Sequence, residues 1–259
     1  MIKTKPTEHL TGITISGDFA DFDGLVDSIY NMTGFGDDPD DPYYGVKNRL
    51  LGMCYDIRHA AMGTRDVALE DNGMDAEKMK WHQLITPEKN VYYSVNVLFP
   101  EAIFIAVAVP HIYSLSSVYY GSRGRHAPIA EANCIPQRPF SDYIRDKTNL
   151  DVLCAAIWQA LGEAIGDEDL EKIFRLYQRS YETYTRYATH YIDKCNIELM
   201  RTDVSKRKEK IKNIARRIIK KPQAYYNMER DLRYSAIEYG TNIYMLYDPR
   251  FEYPEDIDW

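Results

Sequence analysis

Residues 91–110, VYYSVNVLFPEAIFIAVAVP, decide how this chain is read. In the first half Val91, Tyr93, Val95, Val97 and Phe99 alternate with Tyr92, Ser94 and Asn96, the period of a strand with one buried face. The second half, residues 102–109, is apolar on both faces and bounded by Pro100 and Pro110, which predicts a central strand. Together they predict an antiparallel hairpin that turns at Pro100 and Glu101.

Upstream the signals alternate between strand and helix. Residues 10–16 (LTGITIS) predict a first strand, Gly17 and Asp18 turn the chain, and Phe22, Leu25, Val26, Ile29 and Tyr30 recur at helical spacing until Gly34. The acidic run GDDPDDP, residues 36–42, precedes a second apolar face of Val46, Leu50, Met53, Cys54, Ile57 and Ala61. Asp41 is the natural cap and Pro42 the first helical residue, so these aspartates sit at the positive end of a helix dipole. The loop lacks the alternating ligands and distal glutamate of a calcium-binding EF-hand. Residues 66–71 fit a short strand and residues 74–84 a short helix.

Downstream, residues 111–148 show no sustained period, and GSRGRH within them (residues 121–126) lacks the flanks of a phosphate loop and reads as a surface loop. From Asn149 the pattern is helical: Leu150, Leu153, Cys154, Ile157, Trp158, Leu161 and Ile165 form a stripe closed by Gly166. A second helix is predicted to run unbroken from Glu168 to about Met200. Its Phe174, Tyr177, Tyr181, Tyr184, Ala188, Tyr191 and Cys195 form a seam suited to another long helix, within the chain or in a second copy, so a homo-oligomer through residues 174–195 is an expectation. A basic helix follows up to Pro222, then a last helix over residues 223–239. The predicted fold is α+β: a small, mostly antiparallel sheet with helices on one face (residues 1–110), an irregular connection (111–148), a C-terminal helical bundle (149–246) and an acidic tail (247–259).

Composition sets outer bounds. The 259 residues are 45% hydrophobic and 27% charged, enough for a sizeable core, and tyrosine is unusually abundant, 22 against 8 Phe and 3 Trp. Cys54, Cys134, Cys154 and Cys195 form no Cys-x-x-Cys pair, so neither a disulfide framework nor a zinc site is predicted. No signal-peptide stretch opens the sequence, and the run at 102–109 is too short to cross a bilayer. The expectation is a reduced, cytoplasmic protein with no membrane partner, no metal and no cofactor.

Charge is segregated. Residues 206–221 (KRKEKIKNIARRIIKK) carry nine Lys/Arg against Glu209 alone, in a chain of net charge −7. Val204, Ile211, Ile214, Ala215, Ile218 and Ile219 give this helix an apolar face, leaving Lys206, Lys208, Lys212, Arg216, Arg217 and Lys220 as candidate anion-binding residues. Nucleic acid or another polyanion is one predicted partner. The competing reading is a solvated face, or one covered by the chain's own acids in residues 6–46 and 247–259. Non-enzymatic interaction is thus the leading expectation.

The rival expectation is an enzyme built on Asp56, Arg58, His59 and His82. Asp56 and His59 are three apart on a helix, so the carboxylate can orient the imidazole, and a nearby His82 would complete an acid/base pair. Neither His-x-x-x-His, Gly-x-Ser-x-Gly nor Gly-x-x-x-x-Gly-Lys occurs, and an isolated Asp/His pair is more often structural.

Residues 10–18 (LTGITISGD), 54–60 (CYDIRHA) and 79–100, including KWHQLITPEKNVYYSVN, resemble segments of a bacterial family of uncharacterised proteins. The resemblance covers about the first 110 residues. It implies a bacterial cytosolic origin and lends no activity, cofactor or catalytic residue.

Overall fold

In the computed structural model, which describes residues 1–34, 38–121 and 138–259, the alternating stretch is a strand and the apolar stretch after it is a helix. Strands β1 (Lys3–Pro6), β2 (Gly12–Gly17), β3 (Asp66–Asp71) and β4 (Lys89–Leu98) form an antiparallel sheet in the order β1-β2-β4-β3. Ile13 lies opposite Val97 and Ile15 opposite Val95, and all four are buried. On the other face Thr14 Oγ1 donates to Asn96 Oδ1 at 2.8 Å.

Helix α1 (Phe19–Thr33) starts where the side chains and backbone amides of Asp18 and Asp21 cap each other, and it stops at Gly34, whose φ of 71° suits glycine. Helix α2 (Tyr44–Ala61) buries Val46, Leu50, Met53, Cys54 and Ile57 as the spacing predicts. Its start differs: Asp41 caps the turn before it, accepting from the Tyr43 amide at 2.7 Å and pairing with buried Lys47. Helix α3 (Ala76–His82) stands between β3 and β4 with no buried residue.

The predicted hairpin is corrected by helix α4 (Phe99–Ala108). Pro100 falls in its first turn, where a missing N–H goes unused. From Phe99 to Val109 every residue but Glu101 is buried, so the helix is apolar all round and its sequence carries no 3.6-residue period to separate it from a buried strand. Short turns and helix α5 (Tyr113–Ser116) continue it. Among the described residues, Phe99–Tyr119 is the one stretch long and apolar enough to cross a membrane, and it is mostly buried inside the chain.

The C-terminal half is helical: α6 (Phe140–Ile165), α7 (Asp167–Arg179), α8 (His190–Met200), α9 (Val204–Lys220) and α10 (Gln223–Glu238). The predicted unbroken helix over 168–200 is a second correction, because the chain leaves the helix at Ser180 and re-enters at His190. Between those points Tyr184 and Tyr187 pack on Phe104 of α4, with ring centroids 6.0 and 4.8 Å apart. Burying those rings on α4 outweighs the backbone regularity of a continuous helix. One cluster of buried side chains runs from Ile13 through α4 to Tyr225, joining sheet and bundle.

Candidate ligand-binding cavity

A cavity of about 750 Å³ lies where α2, the first turn of α4, α8 and the end of the chain meet. From α2 come Arg49, Gly52, Met53 and Asp56, spaced i, i+3, i+4, i+7 and so on one helical face. Helix α8 adds His190, Asp193 and Asn196, and α4 adds Glu101. Residues 246–259 form a strap along the opening and contribute the rings of Tyr247, Phe251, Tyr253 and Trp259. The strap is anchored where β2 begins: Thr11 Oγ1, just before the strand, donates to the Asp258 carbonyl, and a Cβ on Gly12 would stand 2.9 Å from the Trp259 ring.

The electrostatics are unbalanced. Arg49 pairs with both Glu101, at 3.0 Å, and Asp193, and donates to the Thr189 carbonyl at 3.0 Å. Burial opposes the charge on Arg49, but Glu101 and Asp193 outweigh it and hold the guanidinium above its ordinary pKa. Burial raises the Glu101 carboxyl above its usual range against the pull of Arg49, and Asp193 adds to the rise. One cation therefore serves two carboxylates. Tyr253 OH donates to Asp193 at 2.8 Å and accepts from Asn196 Nδ2 at 2.7 Å.

Three buried polar atoms of the described lining, His190 Nδ1, Asn196 Oδ1 and Tyr244 OH, have no hydrogen-bond partner. His190 Nε2 is 2.8 Å from the Leu246 carbonyl; a carbonyl only accepts, so Nε2 carries a proton. Nδ1 is buried and unpaired, as is Asn196 Oδ1. Both residues line the cavity.

Of the predicted catalytic residues, Asp56 lines the cavity and Arg58, His59 and His82 do not. Asp56 pairs with Arg65 at 3.0 Å. Arg58 reaches Tyr30 OH at 3.4 Å, and His59 packs at a tilt against Tyr55 with centroids 4.2 Å apart while its Nδ1 lies 3.4 Å from Thr64 Oγ1. His82 is exposed at the end of α3. Burial pushes the thiols of Cys54, Cys154 and Cys195 up to about 12, so none of the three is poised as a thiolate nucleophile. Among the described residues no three His, Cys, Asp or Glu side chains are grouped as metal ligands. Sequence reasoning passed over Arg49, Glu101, Asp193 and Asn196; the available signal was Glu101, the one charge in an apolar run.

Helix α9 presents its cations unevenly. Lys212 pairs with Asp169 at 3.0 Å and with Glu209, Arg216 lies 4.0 Å from Asp169, and Arg217 holds Glu198 at 2.7 Å and Tyr191 OH at 2.9 Å. Arg207, 4% exposed, donates to the carbonyls of His9 and Thr202 and to Thr11 Oγ1. Lys206, Lys208 and Lys220 are exposed and without an ion pair among the described residues. Acids of α7 and α8, rather than the acid-rich residues 6–46, supply most of the counter-charge. Asp37 of that run, together with Arg123, Arg125 and His126, lies outside the described residues.

The fold and site define an α+β chain whose ligand-sized cavity is bordered by its own C-terminal strap. The chain belongs to the family described as Domain of unknown function (DUF6904), which it matches over residues 2–259, through both the sheet and the helical half. No curated protein and no solved structure matches it.

Proposed function

We propose that this chain is a non-enzymatic binding protein that holds a small polar molecule in the cavity between α2, α4 and α8. The observation that carries the reading is the Arg49, Glu101 and Asp193 group beside unpaired Asn196 Oδ1 and His190 Nδ1, all from residues lining one ligand-sized space. A buried acceptor without a donor costs about 1–3 kcal/mol, so these atoms mark the least satisfied part of the wall. Gly52 adds support: a Cβ there meets nothing within 4 Å, so glycine in mid-helix serves no packing need and leaves the cavity wall open.

Gly52→Trp tests the reading by placing an indole at that wall. Small-molecule hits that raise the melting temperature of the parent chain should fail to raise that of the variant. Hits that shift both proteins equally would locate binding elsewhere and end the proposal.

A second reading, a polyanion bound along α9, rests on exposed Lys206, Lys208 and Lys220. At a slope of about −0.9 per phosphate contact, three free lysines predict an affinity loss of roughly 40-fold between 50 and 200 mM salt, against about 10³ to 10⁵ for proteins with six to ten contacts. Replacing all three with Glu should abolish any binding to single- or double-stranded DNA. Binding that survives the triple change would remove α9 as its site.

A further inference from the structure

Resting on the cavity reading, we infer that its ligand is an organic cation carrying N–H donors, an amine or guanidine on an apolar or aromatic body. The chemistry of the wall selects it. Arg49 is the one cationic side chain of the lining, against Asp56, Glu101, Asp193, Asp248 and Glu252. Asp56 and Asp248 are answered from outside the lining by Arg65, at 3.0 Å, and Arg250, at 2.6 Å. Glu101 and Asp193 share Arg49, so the innermost group keeps an excess negative charge, and Glu252 is exposed with no ion pair among the described residues.

Hydrogen-bonding capacity points the same way. Among the described lining residues His190 Nδ1, Asn196 Oδ1 and the Tyr244 hydroxyl are buried and unpaired; the Asn196 amide oxygen accepts only, the hydroxyl can also donate, and His190 and Asn196 are at least nine-tenths buried. Asn196 Oδ1 needs a donor, which an anion would not supply and an ammonium or guanidinium does. Tyr247, Phe251 and Trp259 on the strap provide ring faces of the kind that attract cations. A metal ion fits less well, because the guanidinium of Arg49 already stands between the two inner carboxylates.

Three probes of one shape and different charge test the inference: tyramine, the neutral alcohol 4-(2-hydroxyethyl)phenol, and 3-(4-hydroxyphenyl)propanoate. Binding to the full chain is followed by calorimetry and by the indole N–H resonance of Trp259. Tyramine should saturate and shift that resonance, and bind about tenfold or more weakly to Asp193→Asn. Glu252→Gln, a change at an exposed position that leaves the core intact, should weaken it severalfold, so the test survives if the first variant does not fold. If the alcohol or the carboxylate binds as tightly as tyramine, or if tyramine is indifferent to both changes, the cationic class is wrong while the cavity reading stands. If none of the three moves the Trp259 resonance, both fall.

Discussion

Two regions of this molecule concentrate charge, and they do so in opposite ways. Helix α9 carries its cations in consecutive sequence, yet Asp169, Glu198 and Glu182 of neighbouring segments answer most of those that turn inward. The cavity floor brings together Arg49, Glu101 and Asp193 from three distant helices and leaves one carboxylate in excess. A conspicuous run of like charge is thus largely compensated within the fold, whereas the imbalance that can recognise a ligand is assembled only by tertiary packing. The difference argues for reading charge after folding, by what each group faces.

Removing Arg49 probes the contrast hardest. Arg49→Met leaves Glu101 and Asp193 facing each other without a cation and should cost about 3 kcal/mol in urea unfolding at pH 7. The remaining carboxylates then favour a shared proton, so their pKa values rise above those of the unfolded chain and part of the loss should return as pH falls. Glu101→Gln, which removes the excess charge and keeps the Arg49–Asp193 pair, should cost far less. Equal losses for the two changes would show that no excess charge exists at the floor.

The same comparison can be made inside α9. Arg207 is buried and donates to three carbonyls, of His9, Met200 and Thr202, and a hydroxyl, so Arg207→Ala should cost about 2 kcal/mol. Lys208, exposed on the same helix, should change stability by less than about 0.5 kcal/mol when made Ala. Thermal or urea unfolding that ranks them equally would break the division of α9 into an inward structural side and an outward free side.

That division was only half visible in the sequence. The buried Ile211, Ile214, Ala215, Ile218 and Ile219 follow from their spacing, as does α1, because each pattern is local and one-sided; β3 and α10 form over the stretches the sequence predicts. Alternation in β4 likewise announced its strand. Helix α4 was illegible because burial on every side erases its period, and Glu101 was read as a turn residue beside Pro100. The break at Ser180 is hidden too: of the tyrosines spaced for a seam, Tyr184 reaches Phe104 of α4 from an irregular segment and Tyr181 is exposed. For the site, the sequence offered Asp56, while Arg49, Glu101 and Asp193 are far apart along the chain and share no motif.

Acid titration gives a finer separation. Burial works against the Glu198 charge, but hydrogen bonds from Arg217 and Lys210 more than offset it and hold the carboxyl below its ordinary 4.5. A depressed carboxyl contributes stability that is full above its unfolded pKa and is lost as pH falls through the folded value. Glu198→Gln should therefore lower stability by about 1 kcal/mol at pH 7 and reduce the acid-side loss below about pH 4.5. Glu101, whose carboxyl is raised, has the opposite sign: its contribution falls as pH rises through its folded pKa. A Glu198→Gln variant with an unchanged acid limb would mean that the α8–α9 pairing is not what holds this carboxyl ionised.

The last effect expected is a gain. Gly52 lies within α2, away from either end, and a methyl group there meets no atom within 4 Å. Alanine narrows the unfolded ensemble and favours the helix, so Gly52→Ala should stabilise the chain by about 0.5 kcal/mol. A stabilising change that also weakens amine binding would give Gly52 a role the packing cannot explain, namely keeping the α2 wall clear for a ligand. If alanine stabilises the chain and binding is untouched, the glycine marks spare space at the rim, and the occupied part of the cavity must lie deeper, against Glu101 and Asn196.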